Sequence, residues 1–368
     1  MSRRTNPEII LVVGLACHLF HRWERRLASV DRNRVVRPFD WGVDWIPVAE
    51  RDRVDHDAPS LVVRAWAERA MRNSDAWFAV DPAPGYGTAA LPAGAKPGER
   101  MVTFESGVTT PHRENNTVYA RYFPATPKPR VDGTPAARRA VVVTAQWNAD
   151  EDGHVGLCRL LQRIGISALR MTLPYHDRRR PPGLERADYL VSSNVAQTLQ
   201  VCRQAVVDMR RGVAWLDQQG YERIGLLGTS IGSCLSMLTG THEPLVKAMA
   251  LNHVSPWFAD VVWEGLSTAH VRAGMEGHID LPRLREMWRP ISPQSYMHRI
   301  ANRPSLLVYA LYDLSFPLHL SRDVAREFKK HNPPTRIRVL PCGHYTTGVA
   351  PFKYLDGYYL ARFLHKEL

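Results

Sequence analysis

Long apolar runs are missing from this chain of 368 residues. The one near the N-terminus, Ile9 to Phe20, is too short to span a bilayer. Cysteine is scarce as well: Cys17, Cys158, Cys202, Cys234 and Cys342 are an odd number, with no Cys-x-x-Cys pair. A disulfide framework and a cysteine zinc site are therefore not expected, and reduced thiols in a cytoplasmic protein fit best. Internal repeats are lacking. So is any recognisable nucleic-acid-binding module, although the net charge is +12 and the isoelectric point about 9.7. The basic residues are mostly scattered arginines, which read as a solvated surface. Nucleic acid is not an expected partner, and neither is a membrane surface.

The N-terminus admits two readings. Arg3 and Arg4 precede the apolar run, and Gly14-Leu15-Ala16-Cys17 resembles a lipoprotein cleavage site. Against export or lipid anchoring, Gly14 stands where a larger aliphatic residue belongs, and His18, His21 and Arg22 follow closely. A helix packed on the domain is the expectation.

What is present is ordinary for a folded chain: 45% hydrophobic and 23% charged residues, enough for a substantial core. Residues 1 to about 100 read as an N-terminal extension, with helical periodicity from Leu61 to Phe78 and a Pro/Gly-rich connector from Asp81 to Arg100. Met101 to Ser106 and Thr117 to Phe123 read as an antiparallel edge pair, and Ala125 to Ala137 as an exposed loop. From Arg139 onward, short apolar strands alternate with helices. Strands are expected at Ala140–Thr144, Ser167–Leu173, Arg223–Leu227, Ala248–Leu251, Ser305–Leu311 and Arg336–Leu340. The long helix after Asn194 repeats apolar residues at Val195, Leu199, Cys202, Val206, Met209, Val213 and Leu216, one helical face, with Gly220 as its stop. The pattern predicts an α/β fold with a mostly parallel central sheet covered by helices on both faces. Between about 252 and 300 the alternation breaks, which marks a helical insertion or lid.

Gly228-Thr229-Ser230-Ile231-Gly232 lies between an apolar strand and a helix. A serine that must project from so sharp a turn needs small neighbours two positions away, and Gly228 and Gly232 supply them. The Ile231 amide, at the positive end of the following helix, is the first candidate for holding an oxyanion. A serine hydroxyl needs a base, and the base needs orienting. Asp313 follows the strand Ser305–Leu311 and His344 follows the strand Arg336–Leu340, with one helix, Leu320 to Lys330, between them. Chain order and strand ends therefore nominate Ser230 as nucleophile, Asp313 as acid and His344 as base. Asp323 falls inside the predicted helix and Asp260 one strand too early, so both are weaker candidates for the acid.

From about Ala140 to Leu368 the chain resembles the α/β-hydrolase superfamily of serine hydrolases. Leu173-Pro174-Tyr175-His176-Asp177-Arg178-Arg179 and Gly228-Thr229-Ser230-Ile231-Gly232-Ser233-Cys234 are similar to the group related to abhydrolase domain-containing protein 18. The resemblance implies the α/β-hydrolase fold of about eight strands and ester-type hydrolysis, without naming a substrate. Many superfamily members carry His-Gly after the first strand of the alternation, where this chain has Ala145-Gln146-Trp147-Asn148. The second oxyanion amide is expected from this loop, from Gln146 or Trp147.

Around such a site, His176 and Arg178 are candidates for an acidic substrate group, and Trp257 and Phe258 for an acyl or alcohol pocket. Arg–carboxylate pairs fixing the loop and plain core packing compete with those roles. Asn148, Asp150, Asp152 and His154 match no calcium or zinc spacing and read as a polar turn. The expected reaction is acyl transfer from a small-molecule ester to water, needing neither metal nor organic cofactor. Two other outcomes stay open: a hydrolase-shaped binding or scaffold protein with an idle triad, and an acyltransferase using the same residues. Oligomeric state leaves no mark on the sequence.

Overall fold

Val141, Val142 and Val143 are all fully buried, yet they face opposite ways. Val142 packs with Leu169, Leu226 and Leu251 on one side of a sheet, and Val141 and Val143 with Leu227, Ala250 and Val308 on the other. Consecutive side chains of a strand alternate between faces, so an unbroken apolar run survives only where both faces are covered. Each such valine or leucine contributes about 1.5–3 kcal/mol on burial.

The computed structural model describes residues 7–53, 58–81, 83, 85–91, 95–126 and 136–368. Helix α1 (Pro7–Ala28) comes first, then α2 (Pro59–Arg72). Strands β1 (Tyr86–Ala90), β2 (Arg100–Glu105), β3 (Thr117–Phe123) and β4 (Arg139–Thr144) follow. Alternation then runs through α3 (Val155–Arg163), β5 (Ser167–Met171), α4 (Val195–Gln218), β6 (Arg223–Thr229), α5 (Ile231–His242) and β7 (Val246–Asn252). Short helices α6 (Phe258–Glu264), α7 (Ala269–Met275) and α8 (Leu281–Met287) precede β8 (Ser305–Ala310), α9 (Leu318–His331), β9 (Arg336–Leu340) and α10 (Phe352–Glu367).

The nine strands form one sheet in the order β1-β2-β3-β5-β4-β6-β7-β8-β9. β1, β2 and β3 pair antiparallel with their neighbours, and from β5 to β9 every pairing is parallel. β4 has β5 on one side and β6 on the other, so the strand order reverses there. The carboxyl ends of β4 and β6 thus flank a crevice, the usual ligand position of an open α/β sheet.

Two expectations need correction. The connector read over Asp81 to Arg100 holds the edge strand β1, paired with β2 from Tyr86↔Phe104 to Ala90↔Arg100; the pairing overrides its low strand propensity. With β1 the sheet has nine strands among the described residues, in keeping with the expected number of about eight. The single helix read from Leu61 to Phe78 breaks at Asn73, whose side chain caps a separate short turn by accepting from Ala76 N at 3.3 Å. The loop expected from Ala125 to Ala137 falls mostly outside the described residues.

Asn194 caps α4 by accepting from Gln197 N at 2.9 Å. The apolar face read from the sequence lies buried against the sheet, and Gly220 ends the segment at φ +78°. The apolar run Ile9–Phe20 belongs to α1, whose Leu15 and Leu19 are exposed while Phe20 packs on the core and Glu24 is fully buried. No helix among the described residues is long and apolar enough to cross a membrane.

Candidate active site

The turn between β6 and α5 puts Ser230 at φ 58°, ψ −124°, a backbone state that costs an L-residue on the order of 1–3 kcal/mol. What holds it there is close backbone packing. A Cβ at Gly228 would lie 2.1 Å from the Gly232 carbonyl oxygen, and one at Gly232 would lie 2.6 Å from the Thr144 and Ala145 carbonyls. The two glycines let α5 start directly against the end of β4. Ser230 N donates to Asn252 O at 2.8 Å, which ties the turn to the end of β7 as well.

Past the end of β8, Asp313 is buried, and its Oδ1 accepts from the amides of Ser315 at 2.8 Å and Phe316 at 2.7 Å. Its Oδ2 accepts from two histidines: His344 Nδ1 at 3.1 Å and His253 Nδ1 at 2.7 Å. Burial alone would push the Asp313 carboxyl up, but the facing His344 and the hydrogen bonds from His253 and His344 prevail and hold it well below the carboxylate range. His344 moves the other way. Burial lowers it, the Asp313 charge and hydrogen bond and the Glu24 charge raise it, and the net shift is upward. A carboxylate oxygen only accepts, so both rings carry their proton on Nδ1 and keep a free lone pair on Nε2. For His344 that lone pair belongs to a ring stacked on Phe316, with centroids 5.4 Å apart.

Ser230 and His344 line one cavity of about 810 Å³, together with Ile231, Gln146, Trp147 and Phe258. Among the described residues no hydrogen bond joins Ser230 Oγ to His344; in unliganded sites such contacts are often long. The amide of Asn148 donates to His176 Nε2 at 2.9 Å and that of Ala149 to Gln146 O at 3.2 Å. Among the described residues, the amides of Gln146, Trp147 and Ile231 have no protein acceptor, which leaves them available at the cavity. Trp147 is anchored by its indole N–H, which donates to Ala187 O at 2.9 Å, and by stacking on His270.

His176 does not reach the cavity. It is buried, with Nδ1 donating to Pro174 O at 2.9 Å and Nε2 accepting from Asn148, and burial holds it at about 4. A neutral ring with both nitrogens engaged orients the loop and cannot serve as a cation. Arg178 is exposed on the far side of that loop, over the Tyr119 ring at 5.8 Å and beside a separate cavity of about 300 Å³. The loop is pinned instead by Arg179, fully buried and donating to Asp208 Oδ2 at 2.8 Å. Phe258 faces the main cavity with Val261 and Val262, whereas the half-buried Trp257 stands outside it.

Asp323 pairs with Arg326 at the surface of α9, and Asp260 accepts from Arg285 Nε at 2.8 Å, so neither approaches His344. Asp150 and Asp152 form a polar turn, and His154 points to Thr229 Oγ1 at 2.8 Å. Among the described residues, the group compact enough to hold an ion is His253, Asp313 and His344. Both Nδ1–H groups, however, donate to the one carboxylate oxygen Asp313 Oδ2, so these three atoms are engaged in hydrogen bonds with one another's residues instead of forming a ligand cage.

Sequence reasoning missed two residues here. His253 falls one position past β7, at the start of the segment read as an insertion; its place at a strand end beside β6 is the available signal. Glu24 sits in the N-terminal helix, far from any motif, and nothing in the sequence marked it.

Residues 153–270 match the model of the family described as Alpha/beta hydrolase domain containing 18. The matched stretch holds the elbow and the loop of His176, but neither Asp313 nor His344. No curated protein matches the chain. Among solved structures it is similar to an acetyl xylan esterase from Paenibacillus sp. R4, at TM-score 0.59 and 13% identity, over 88% of this chain and 100% of that one. Acetyl xylan esterase 1 from Thermoanaerobacterium sp. JW/SL YS485 gives TM-score 0.57 and 14% identity, over 88% and 99%. Pyrococcus horikoshii acylaminoacyl peptidase gives 0.55 and 15%, over 73% of this chain and 42% of that one. With the sheet order and the elbow, these likenesses give the chain the α/β-hydrolase fold.

Proposed function

We propose that the chain is a serine hydrolase that cleaves a carboxylic ester of a small molecule through an acyl-enzyme. The observation that carries this reading is one cavity shared by a serine at positive φ and a histidine hydrogen-bonded to a buried carboxylate. His344 Nε2 takes the proton of Ser230 Oγ as the oxygen attacks the ester carbonyl. Negative charge then develops on the carbonyl oxygen and rests on the Ile231 amide and on that of Gln146 or Trp147. The imidazolium, steadied by Asp313, gives its proton to the departing alcohol. A water activated by the same ring cleaves the acyl-serine and restores the hydroxyl. The cavity wall of Phe258, Val261 and Val262 suits an apolar part of the substrate.

The test is labelling with a fluorophosphonate probe, followed by p-nitrophenyl esters of graded acyl length. Labelling lost in Ser230→Ala, with turnover lowered at least about 10⁴-fold, is the expected outcome. Folded wild-type protein that takes no label would refute the reading and favour a binding protein with an idle triad.

A further inference from the structure

Helix α1 reaches the candidate triad from outside the alternating core, through two residues one helical turn apart. Phe20 stacks on Tyr312 at 4.6 Å between centroids and 7° between planes, directly before Asp313. Glu24, fully buried, accepts from Tyr345 N at 2.9 Å, Thr346 N at 2.8 Å and Thr346 Oγ1 at 2.9 Å, directly after His344. Thr346 Oγ1 in turn accepts from Gly343 N at 2.7 Å, so the residues on both sides of His344 hang from one carboxylate. The fit is close at 343: a Cβ there would lie 2.3 Å from Glu24 Cδ, so any side chain would displace the Glu24 carboxylate. Arg34, just beyond α1, adds a bond from Nη2 to the Tyr345 hydroxyl at 2.8 Å.

A buried carboxylate is costly unless hydrogen bonds satisfy it, and charge-assisted bonds to amides are among the strong ones. α1 turns this charge inward while Leu15 and Leu19 stay at the surface, the reverse of what burial of apolar area alone would select. Among the described residues, all three hydrogen bonds that Glu24's carboxylate accepts come from the residues immediately following the base.

We infer that Glu24 is a positioning residue for the triad, fixing the loop of His344 through the amides that follow it. This inference rests on the serine-hydrolase reading above and deepens it. It makes the N-terminal helix part of the catalytic apparatus. The charged and titratable groups facing His344 come from three directions: Asp313 past β8, His253 past β7 and Glu24 from α1, with Tyr345 beside it and Arg34 one contact further out. Asp313 and Glu24 both favour the proton on His344, so losing either negative charge moves its titration to lower pH.

The experiment uses the full chain and two substitutions. Glu24→Gln removes the charge and sets an amide NH₂ against backbone donors. Glu24→Asp keeps the charge and withdraws it by one methylene. Folding is checked by circular dichroism and thermal melting, fluorophosphonate labelling of Ser230 reports its reactivity, and kcat/KM is followed against pH. Glu24→Gln is expected to lower kcat/KM about 10- to 100-fold, mainly in kcat, and to shift the acid limb to lower pH. Glu24→Asp is expected to lower kcat with the limb held near its wild-type position. Folded Glu24→Gln with wild-type kcat and an unmoved limb would overturn the inference. Should that variant fail to fold, wild-type kcat in Glu24→Asp would overturn it equally. Wild-type labelling at Ser230 with unaltered variants would sink the inference alone, and absence of labelling in the wild type would sink both.

Discussion

His253 is bonded to Asp313 more closely than the proposed base is: 2.7 Å against 3.1 Å, on the same oxygen. Its ring lies 4.5 Å from that of His344, and its Nε2 is buried without a partner among the described residues. Burial and the neighbouring His344 charge lower its pKa despite the Asp313 bond, so His253 stays neutral when His344 takes a proton. One carboxylate therefore fixes two tautomers, and the sharing restricts where its charge can move.

Replacing His253 by Ala removes a donor that helps hold Asp313 ionised. We expect a destabilisation of about 1–3 kcal/mol, as for a lost hydrogen bond to a charged group, and a fall in kcat with KM nearly unchanged. Urea unfolding and ester kinetics on one preparation check this. A neutral result in both would show that His253 only fills space.

The pH dependence of kcat/KM follows from the raised His344. The base must be unprotonated to take the serine proton, so activity rises as pH climbs through its folded-state pKa. The acid limb should therefore lie above 6.5, the ordinary value for histidine. In Asp313→Asn the charge and the tautomer lock are both lost. The limb should move to lower pH and kcat should drop about 10⁴-fold. A pH–rate profile of each protein decides it.

Asp356 on α10 lines the same cavity, and its Oδ2 accepts from Asn252 Nδ2 at 2.8 Å while Oδ1 is buried and unpartnered among the described residues. Burial pushes this carboxyl up to about 7. A carboxyl raised in the folded state stabilises the fold below its unfolded value of about 4 relative to higher pH, and that contribution is lost as pH rises through about 7. Asp356→Asn keeps an acceptor for Asn252 and has no charge to bury. Thermal melts should show the variant gaining over wild type at pH 8 and losing that advantage at pH 4. An equal difference at both would contradict a neutral Asp356.

Much of the site was legible because its signals are local. Gly228 and Gly232 are demanded by contacts within the turn and with the adjoining strand, so the elbow shows in five consecutive residues. Asp313 and His344 could be picked from strand ends because a parallel sheet brings every carboxyl end to one rim. His176 and Arg178 illustrate the opposite case. Their loop follows β5, which β4 separates from β6 and its serine, and their side chains are engaged by Pro174, Asn148 and Tyr119 instead of turning to the cavity.

The order of apolar strands and helices by itself determined the doubly covered parallel sheet, since alternation of buried faces follows from backbone geometry at each strand. Gly228 and Gly232, placed two residues either side of Ser230, determined which of its turns would carry a projecting serine. Only the tertiary structure decided that β1 pairs at the edge, that His253 shares Asp313 with His344, and that Glu24 from the first helix suspends the loop of His344. Those are contacts between segments up to some three hundred residues apart, and a carboxylate's partners across such a distance leave no periodicity to read.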